Sequence, residues 1–320
     1  MERMGISVFL PRGGALKIIK RKQLVHKYND IISMENLCLA WKEFIIGKKR
    51  KKDVIKFNSD LMDNIVELHE TLVNHTYHHN GYESFYITDP KRRHIHKANV
   101  RDRLLHHAVY RILYPFFDRI YIADSYSCRN ERGTHKALDR FTKLACQVSK
   151  NNTHTCWVLK CDIKKFFASI DQKILIAILQ EYIPDKNIVK LLENIIKSFH
   201  TETLSGVGLP LGNLTSQLFS NIYLNCFDQW VKHKLKAKYY IRYADDFVFL
   251  SSDRNYLESI VSSIQEFLQT KLKLSLHPDK LFLKTVASGI DFLGWIHFSD
   301  HKVLRTKTKQ RMFKNIRKSI

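Results

Sequence analysis

The sequence predicts an α+β protein in which an antiparallel sheet is backed by helices, and three observations carry that prediction. A β-prone segment at 157–161 is followed by helix-patterned segments. Residues 239–251 read as a β-hairpin, with β-prone arms and Ala244-Asp245-Asp246 at the tip. A further amphipathic segment at 254–272 leads into short strands. Only 11 glycines and 6 prolines occur and no internal repeat is visible, which excludes solenoids, propellers and linker-rich arrays.

Taken in order, residues 1–33 are a basic, weakly patterned extension. Between 34 and about 76 two amphipathic helices are expected, the first carrying Leu37, Trp41 and Phe44 and the second Leu61, Ile65, Leu68 and Leu72. The run Lys48-Lys49-Arg50-Lys51-Lys52 between them is either a solvated loop or a grip on phosphate. Residues 82–100 read as short strands around a basic turn. A helix opening at Arg101-Asp102-Arg103 has Leu104, Leu105, Ala108, Val109, Ile112 and Leu113 on one face, and Pro115 is expected to end it. After the strand at 157–161, helices are expected at 171–182 and 186–199. A glycine-bearing loop at 205–212 then precedes a long helix at 215–236. The helix at 254–272 buries Leu257, Ile260, Val261, Ile264, Phe267 and Leu268, and strands follow near 274–276, 281–286 and 291–296.

Charge narrows the function. Lys and Arg number 53 against 31 Asp and Glu, a net of +22 before 16 histidines are counted. Such an excess attracts polyanions, nucleic acid above all. Anionic membrane is the competing partner, but no apolar run approaches the ~18–20 residues that span a bilayer. The patch Ile6 to Leu10, broken by Pro11, is too short for a signal peptide. Six cysteines form no C-x-x-C pair, which suggests free thiols and a cytoplasmic setting. His75, His78 and His79 lack the partners of a zinc site, and no Walker motif occurs.

Asp245 and Asp246 lie between two apolar arms, where adjacent carboxylates repel and lose hydration. A divalent cation reverses that cost by making the charges ligands. Mg²⁺ prefers a few carboxylates plus phosphate and water oxygens, and Asp162, ending the strand at 157–161, supplies a third. Two such ions ~4 Å apart activate a hydroxyl and stabilise a leaving group.

Tyr243-Ala244-Asp245-Asp246 resembles the Y-x-D-D hairpin of reverse transcriptases, and Leu159-Lys160-Cys161-Asp162-Ile163-Lys164-Lys165-Phe166-Phe167 resembles their first palm motif. DPKRRHIH (89–96), RDRLLHHAV (101–109), SYSCRNERGTHKAL (125–138), GLPLGNLTSQLFSNIYLN (208–225), LHPDKL (276–281) and FLGW (292–295) follow in the family's order. The resemblance covers roughly residues 35–300. It implies a right-hand polymerase with a fingers region at 34–156 and a palm at 157–298. The reverse transcriptase domain itself would span about 80–298, and residues 299–320 would start a truncated thumb. Most prokaryotic members carry Q-G-x-x-x-S-P where this chain has Leu211-Gly212-Asn213-Leu214-Thr215-Ser216-Gln217. That segment is similar to the variant in diversity-generating retroelements, whose enzymes copy a template-repeat RNA into cDNA with errors at template adenines.

The resemblance implies roles for individual residues. Asp162, Asp245 and Asp246 would hold two Mg²⁺ ions. The amides of Ile163 to Phe166 would face the incoming dNTP, and Phe167 is either a steric gate against ribose or a core aromatic. Lys91 and Arg93 would neutralise triphosphate charge, with Arg92 and His94 leaving the register open by one residue. Arg101 and Arg103 would reach the template or solvate a helix end. Gly212 would admit the nascent base pair closely, Leu211 stands where the family has Gln, and Gln217 stands where it has Pro. Tyr243 would pack on the primer terminus, and Lys280 would be general acid for pyrophosphate or a surface lysine. Phe292, Leu293, Gly294 and Trp295 would form the primer grip, with Trp295 stacking or filling core.

One departure qualifies this reading. Only about 25 residues follow Trp295, and they are basic, so the thumb is either truncated or completed by a partner. The resemblance also implies RNA template, primer and dNTPs as partners, with the small accessory variability protein of such retroelements as a further one. The competing readings are a reverse transcriptase of group II intron or phage-defence type, and an RNA-binding remnant without catalysis. A nucleotide cyclase would need a GG[DE]EF-like turn, which is missing.

Overall fold

The computed structural model describes residues 22–88, 91–201 and 205–319. The expectations for residues 1–21 and for Asp89 and Pro90 lie outside the described residues. The described chain opens with α1 (Tyr28–Ile32), α2 (Met34–Phe44), α3 (Lys52–Ser59) and α4 (Leu61–Val73). A two-stranded antiparallel ribbon, β1 (Tyr82–Ile87) with β2 (Arg93–Ala98), precedes α5 (Val100–Asp118) and α6 (Thr134–Val148). Next come β3 (Trp157–Asp162), the short α7 (Phe166–Ser169), α8 (Gln172–Tyr182), α9 (Lys186–Lys197) and α10 (Leu214–His233). The hairpin β4 (Tyr240–Tyr243) and β5 (Asp246–Ser251) leads to α11 (Arg254–Leu272) and β6 (Phe282–Thr285). The strands β7 (Ile290–Phe292), β8 (Trp295–His297) and β9 (Lys302–Leu304), then α12 (Thr306–Ser319), complete the order.

The central sheet runs β4-β5-β3-β6, antiparallel throughout. Because strand side chains alternate between faces, Leu159, Cys161, Tyr240, Phe247 and Phe249 enter one core with the apolar stripes of α8 to α11. Val158, Ile241, Val248 and Leu250 enter a second core with Phe141 and Leu144 of α6 and Ile290 and Phe292 of β7. Both faces are therefore covered, which is why β5 reads as the unbroken apolar run Phe-Val-Phe-Leu. Each fully buried aromatic in these layers contributes roughly 1.5–3 kcal/mol of apolar burial.

Several expectations need correction. The segment 34–76 holds an additional helix, α3, whose only buried side chain is Val54, so its stripe was too short to read. Pro115 lies inside α5 rather than ending it. A proline at that position costs about 3 kcal/mol, and burial of Phe117 in the following half-turn offsets a comparable amount. The helix α6 was unanticipated, although Ala137, Leu138, Phe141, Leu144, Ala145 and Val148 have helical spacing. Residues 274–276 form only an isolated bridge, Leu276 with Ile163. The strand expected at 291–296 is the tight hairpin of β7 and β8, extended by β9.

Candidate active site

The catalytic-type carboxylates are set by register. Asp162 on β3 lies opposite Asp246 on β5, and Asp246 in turn lies opposite Tyr243 on β4. Period-two alternation places Asp162, Lys160, Asp246 and Tyr243 on one face of the sheet, at the open end of the second core. Asp245 occupies the two-residue turn with Ala244, whose φ of +56° matches the first position of a II′ hairpin turn. The carbonyl of Asp245 accepts the Ile163 N–H at 3.2 Å, so the hairpin tip is stitched to the end of β3.

Two lysines attend the carboxylates. Lys280, in a 3₁₀ turn at Pro278–Lys280, donates to Asp162 Oδ1 at 2.8 Å. Lys160 lies 3.2 Å from Asp246 Oδ2 and donates to the carbonyl of Asp291 at 2.7 Å. Burial pushes the Asp246 carboxyl up to about 6, against the opposing pull of Lys160. Burial and then the neighbouring Asp162 also raise Asp245, while Lys280 and Arg93 oppose them. Among the described residues Asp246 Oδ1 is buried without a hydrogen-bond partner.

These features fit a divalent cation bound with its substrate. The donors are carboxylates, suited to Mg²⁺. The orphaned oxygen and the raised carboxyls mark negative charge that the protein alone leaves undercompensated. Among the described residues no three His, Cys, Asp or Glu side chains close on one point. A bound ion would take only part of its coordination shell from these side chains, with phosphate and water oxygens supplying the rest.

Residues 88–297, which contain all three carboxylates and both lysines, match the family described as reverse transcriptase (RNA-dependent DNA polymerase). The chain belongs to the reverse transcriptase family. It is 27% identical over 246 residues to protein YkfC of Escherichia coli (strain K12), across 66% of this chain and 62% of YkfC. It is 23% identical over 320 aligned residues to the group II intron-encoded protein LtrA of Lactococcus lactis subsp. cremoris, across 78% of this chain and 51% of LtrA. The chain thus spans less than two thirds of the length of these relatives. A structure of apo telomerase from Candida tropicalis, truncated from the C-terminal domain, aligns with a TM-score of 0.52 at 13% identity, over 70% of this chain and 54% of that one. At that identity the likeness concerns fold, and it bears out the right-hand polymerase class. Among the described residues no helix is long and apolar enough to cross a membrane.

On the basic ribbon, the charge of Arg93 is felt at Asp245, where it opposes the rise of the carboxyl. Arg92 instead stacks on Tyr86 at 4.2 Å, on the opposite face of β1 and β2. Lys91 is exposed beside them. Arg101 and Arg103 are committed locally: Arg101 donates to Thr71 Oγ1 at 3.1 Å, and Arg103 pairs with Asp53.

The loop before α10 docks on β2. His96 N–H donates to the Leu211 carbonyl at 2.9 Å, and Asn213 Nδ2 donates to the His96 carbonyl at 2.8 Å. Gly212 has φ +109°, and a Cβ there would meet Ile95 Cγ2 at 2.8 Å. The close approach that Gly212 permits is thus to Ile95. Leu211 is half-buried, and Gln217 is exposed in the first turn of α10.

Two expected contacts are corrected. The amide of Ile163 is taken by Asp245, and that of Lys164 by the Ser275 carbonyl at 2.9 Å. Any amide cradle for a triphosphate therefore starts at Lys165, before the buried Phe166 and half-buried Phe167. Phe292 is fully buried against Phe141 at 5.4 Å between ring centroids, so it supports the turn from below and has no surface for primer. Leu293 and Gly294, with φ of +52° and +85°, form that turn, and Trp295 is half-buried at its edge. The Tyr243 hydroxyl meets Thr134 Oγ1 at 3.1 Å. Sequence reasoning missed Lys160, although period-two alternation from Asp162 already put it on the same face.

Proposed function

We propose that the chain is an RNA-directed DNA polymerase that extends a primer along an RNA template, with Asp162, Asp245 and Asp246 as ligands for two Mg²⁺ ions. The observation that carries the reading is the register of Asp162 against Asp246 beside Asp245 at a strained turn. Bound Mg²⁺ would supply Lewis acidity to the primer hydroxyl and the departing pyrophosphate. The protein's own contribution is orientation. Lys160 holds Asp246, Lys280 stands where a proton or countercharge meets the leaving group, and Arg93 with Lys91 meets the triphosphate. Phe167 walls the sugar side, and Tyr243, Leu293, Gly294 and Trp295 border the primer. The fingers are residues 34–156 and the palm 157–298, preceded by the extension 1–33 and followed by the thumb segment 299–320.

The finer reading is an error-prone enzyme of a diversity-generating retroelement. Leu211 supports it, because an apolar side chain replaces a polar one beside the position where the new base pair forms. Losing a hydrogen-bonding group there relaxes discrimination between bases. The likeness to LtrA favours an intron-type enzyme as the second reading.

Copying a defined RNA with Mg²⁺ and dNTPs, followed by sequencing of the cDNA, tests both levels. The retroelement reading predicts errors concentrated at template adenines and reduced in Leu211→Gln; an even error spectrum unchanged by that substitution supports the intron-type enzyme. Phe167→Val is expected to admit rNTPs. Failure of rNTP entry would leave Phe167 as a core aromatic.

A further inference from the structure

A buried arginine underlies the hairpin that carries Asp245 and Asp246. Arg242 sits on β4, two residues before Ala244, and is fully buried. Its charge is matched by Asp228 of α10, also fully buried: Nε lies 2.8 and 2.9 Å from the two carboxylate oxygens, and Nη2 donates to Oδ2 at 2.7 Å. Tyr240 O–H donates to the same carboxylate at 2.8 Å. The remaining N–H groups are also used. Nη2 donates to Ser125 Oγ at 3.0 Å, and Nη1 donates to Asn221 Oδ1 and to the Ala244 carbonyl, both at 3.1 Å.

The Ala244 carbonyl belongs to the peptide that joins Ala244 to Asp245. On its other side, Asp245 offers its carbonyl to the Ile163 N–H. The residue is therefore pinned at both peptides, one by β3 and one by the guanidinium. Ala244 has a positive φ of +56°, a sparsely populated conformation that costs a non-glycine residue on the order of 1–3 kcal/mol. Such a conformation persists only where surrounding contacts over-determine it. The segment SYSCRN, for which the sequence suggested no role, is part of the same assembly. Arg242 N–H donates to the Asp124 carbonyl at 2.9 Å, Tyr126 N–H donates to the Arg242 carbonyl at 3.0 Å, and Asn221 Nδ2 donates to the Ser127 carbonyl at 2.8 Å.

Stability alone does not call for this arrangement. Replacing a buried ion pair with apolar side chains of similar volume is often neutral or stabilising. A guanidinium, by contrast, has a rigid fork that serves several acceptors at fixed angles, which neither an apolar side chain nor lysine reproduces.

We propose that Arg242, locked by Asp228, is a positioning residue that fixes the Ala244–Asp245 peptide and so aims the Asp245 carboxylate at the metal site. The inference rests on the metal-ligand reading proposed above. The full chain is compared with the double variant Arg242→Met/Asp228→Leu and with Arg242→Lys. Three quantities are measured: the thermal midpoint, the binding of Mn²⁺ in the presence of primer–template followed by electron paramagnetic resonance, and the Mg²⁺ concentration giving half-maximal extension.

The double variant is expected to melt close to the wild type yet bind Mn²⁺ at least tenfold more weakly, with a parallel rise in its Mg²⁺ requirement. Arg242→Lys is expected to show the same weakening of Mn²⁺ binding, and decides the matter if the double variant does not fold. A folded variant of either kind that binds Mn²⁺ and uses Mg²⁺ as the wild type does overturns the proposal, leaving Arg242 as core filling. Wild-type extension that Asp245→Asn leaves unchanged would instead remove the metal-ligand reading itself, so the two failures are distinguishable.

Discussion

Lys160 joins two parts of the site that are far apart in sequence: its ammonium lies 3.2 Å from Asp246 Oδ2 and donates at 2.7 Å to the backbone carbonyl of Asp291. One side chain thus ties the metal-type carboxylate to the strand that ends at the 293–294 turn. Hydrogen bonds to charged groups contribute about 1.5–3 kcal/mol. Lys160→Met is accordingly predicted to slow primer extension by roughly 10- to 150-fold, a 1.4 kcal/mol loss being about tenfold. Single-turnover incorporation measures this, and an unchanged rate would show the contact to be idle.

Asp246 is held against its own preference. Its carboxyl is raised by burial to about 6, so ionisation at neutral pH opposes folding. Asp246→Asn is predicted to abolish metal-dependent extension while raising the metal-free thermal stability at pH 7.5, by roughly 1–3 kcal/mol. Melting curves without Mg²⁺ check it; a lowered midpoint would contradict the electrostatic account.

Gly212 is constrained twice, by its φ of +109° and by Ile95. Gly212→Ala is predicted to lower stability by about 1–3 kcal/mol. Adding Ile95→Ala removes the clash but not the backbone strain, so recovery in chemical denaturation is expected to be partial. Full recovery would mean that the steric contact alone requires glycine.

Buried histidines, among them His106, His107 and His297, set an acid limit. Burial lowers His106 well below its ordinary value and lowers His107 and His297 to about 4, with Lys48 and Arg103 adding to the effect at His107 and Lys302 at His297. Each is depressed relative to the unfolded chain. The stability they contribute is therefore complete above about pH 6.5 and is lost as pH falls toward 4. Denaturation midpoints between pH 7.5 and 4.5 should fall, and His297→Gln should flatten the curve. A wild-type midpoint constant over that range would contradict the assignment.

The acidic hairpin was legible because its signals are local: two β-prone arms, a short acidic turn, and a tyrosine leading in. The partners that hold it were not. Arg242 looks like an ordinary strand cation until Asp228, on a helix 14 residues earlier, closes on it in the folded chain. Phe292 was misread for a similar reason, since its motif marks a turn but not which side of that turn meets α6. Pro115 shows tertiary packing overriding a local stop signal. The α6 stripe was present in the sequence, yet the polar lead-in at 127–136 masked it.

The central claim is that Asp162, Asp245 and Asp246 form one metal-dependent polymerase site. It is tested most directly by incorporation of a single dNTP opposite an RNA template, comparing the wild type with Asp162→Asn, Asp245→Asn and Asp246→Asn at saturating Mg²⁺. The account predicts Mg²⁺-dependent incorporation by the wild type and its loss in every one of the three folded variants. Incorporation that persists in any of them, or a folded wild type with none, would contradict it.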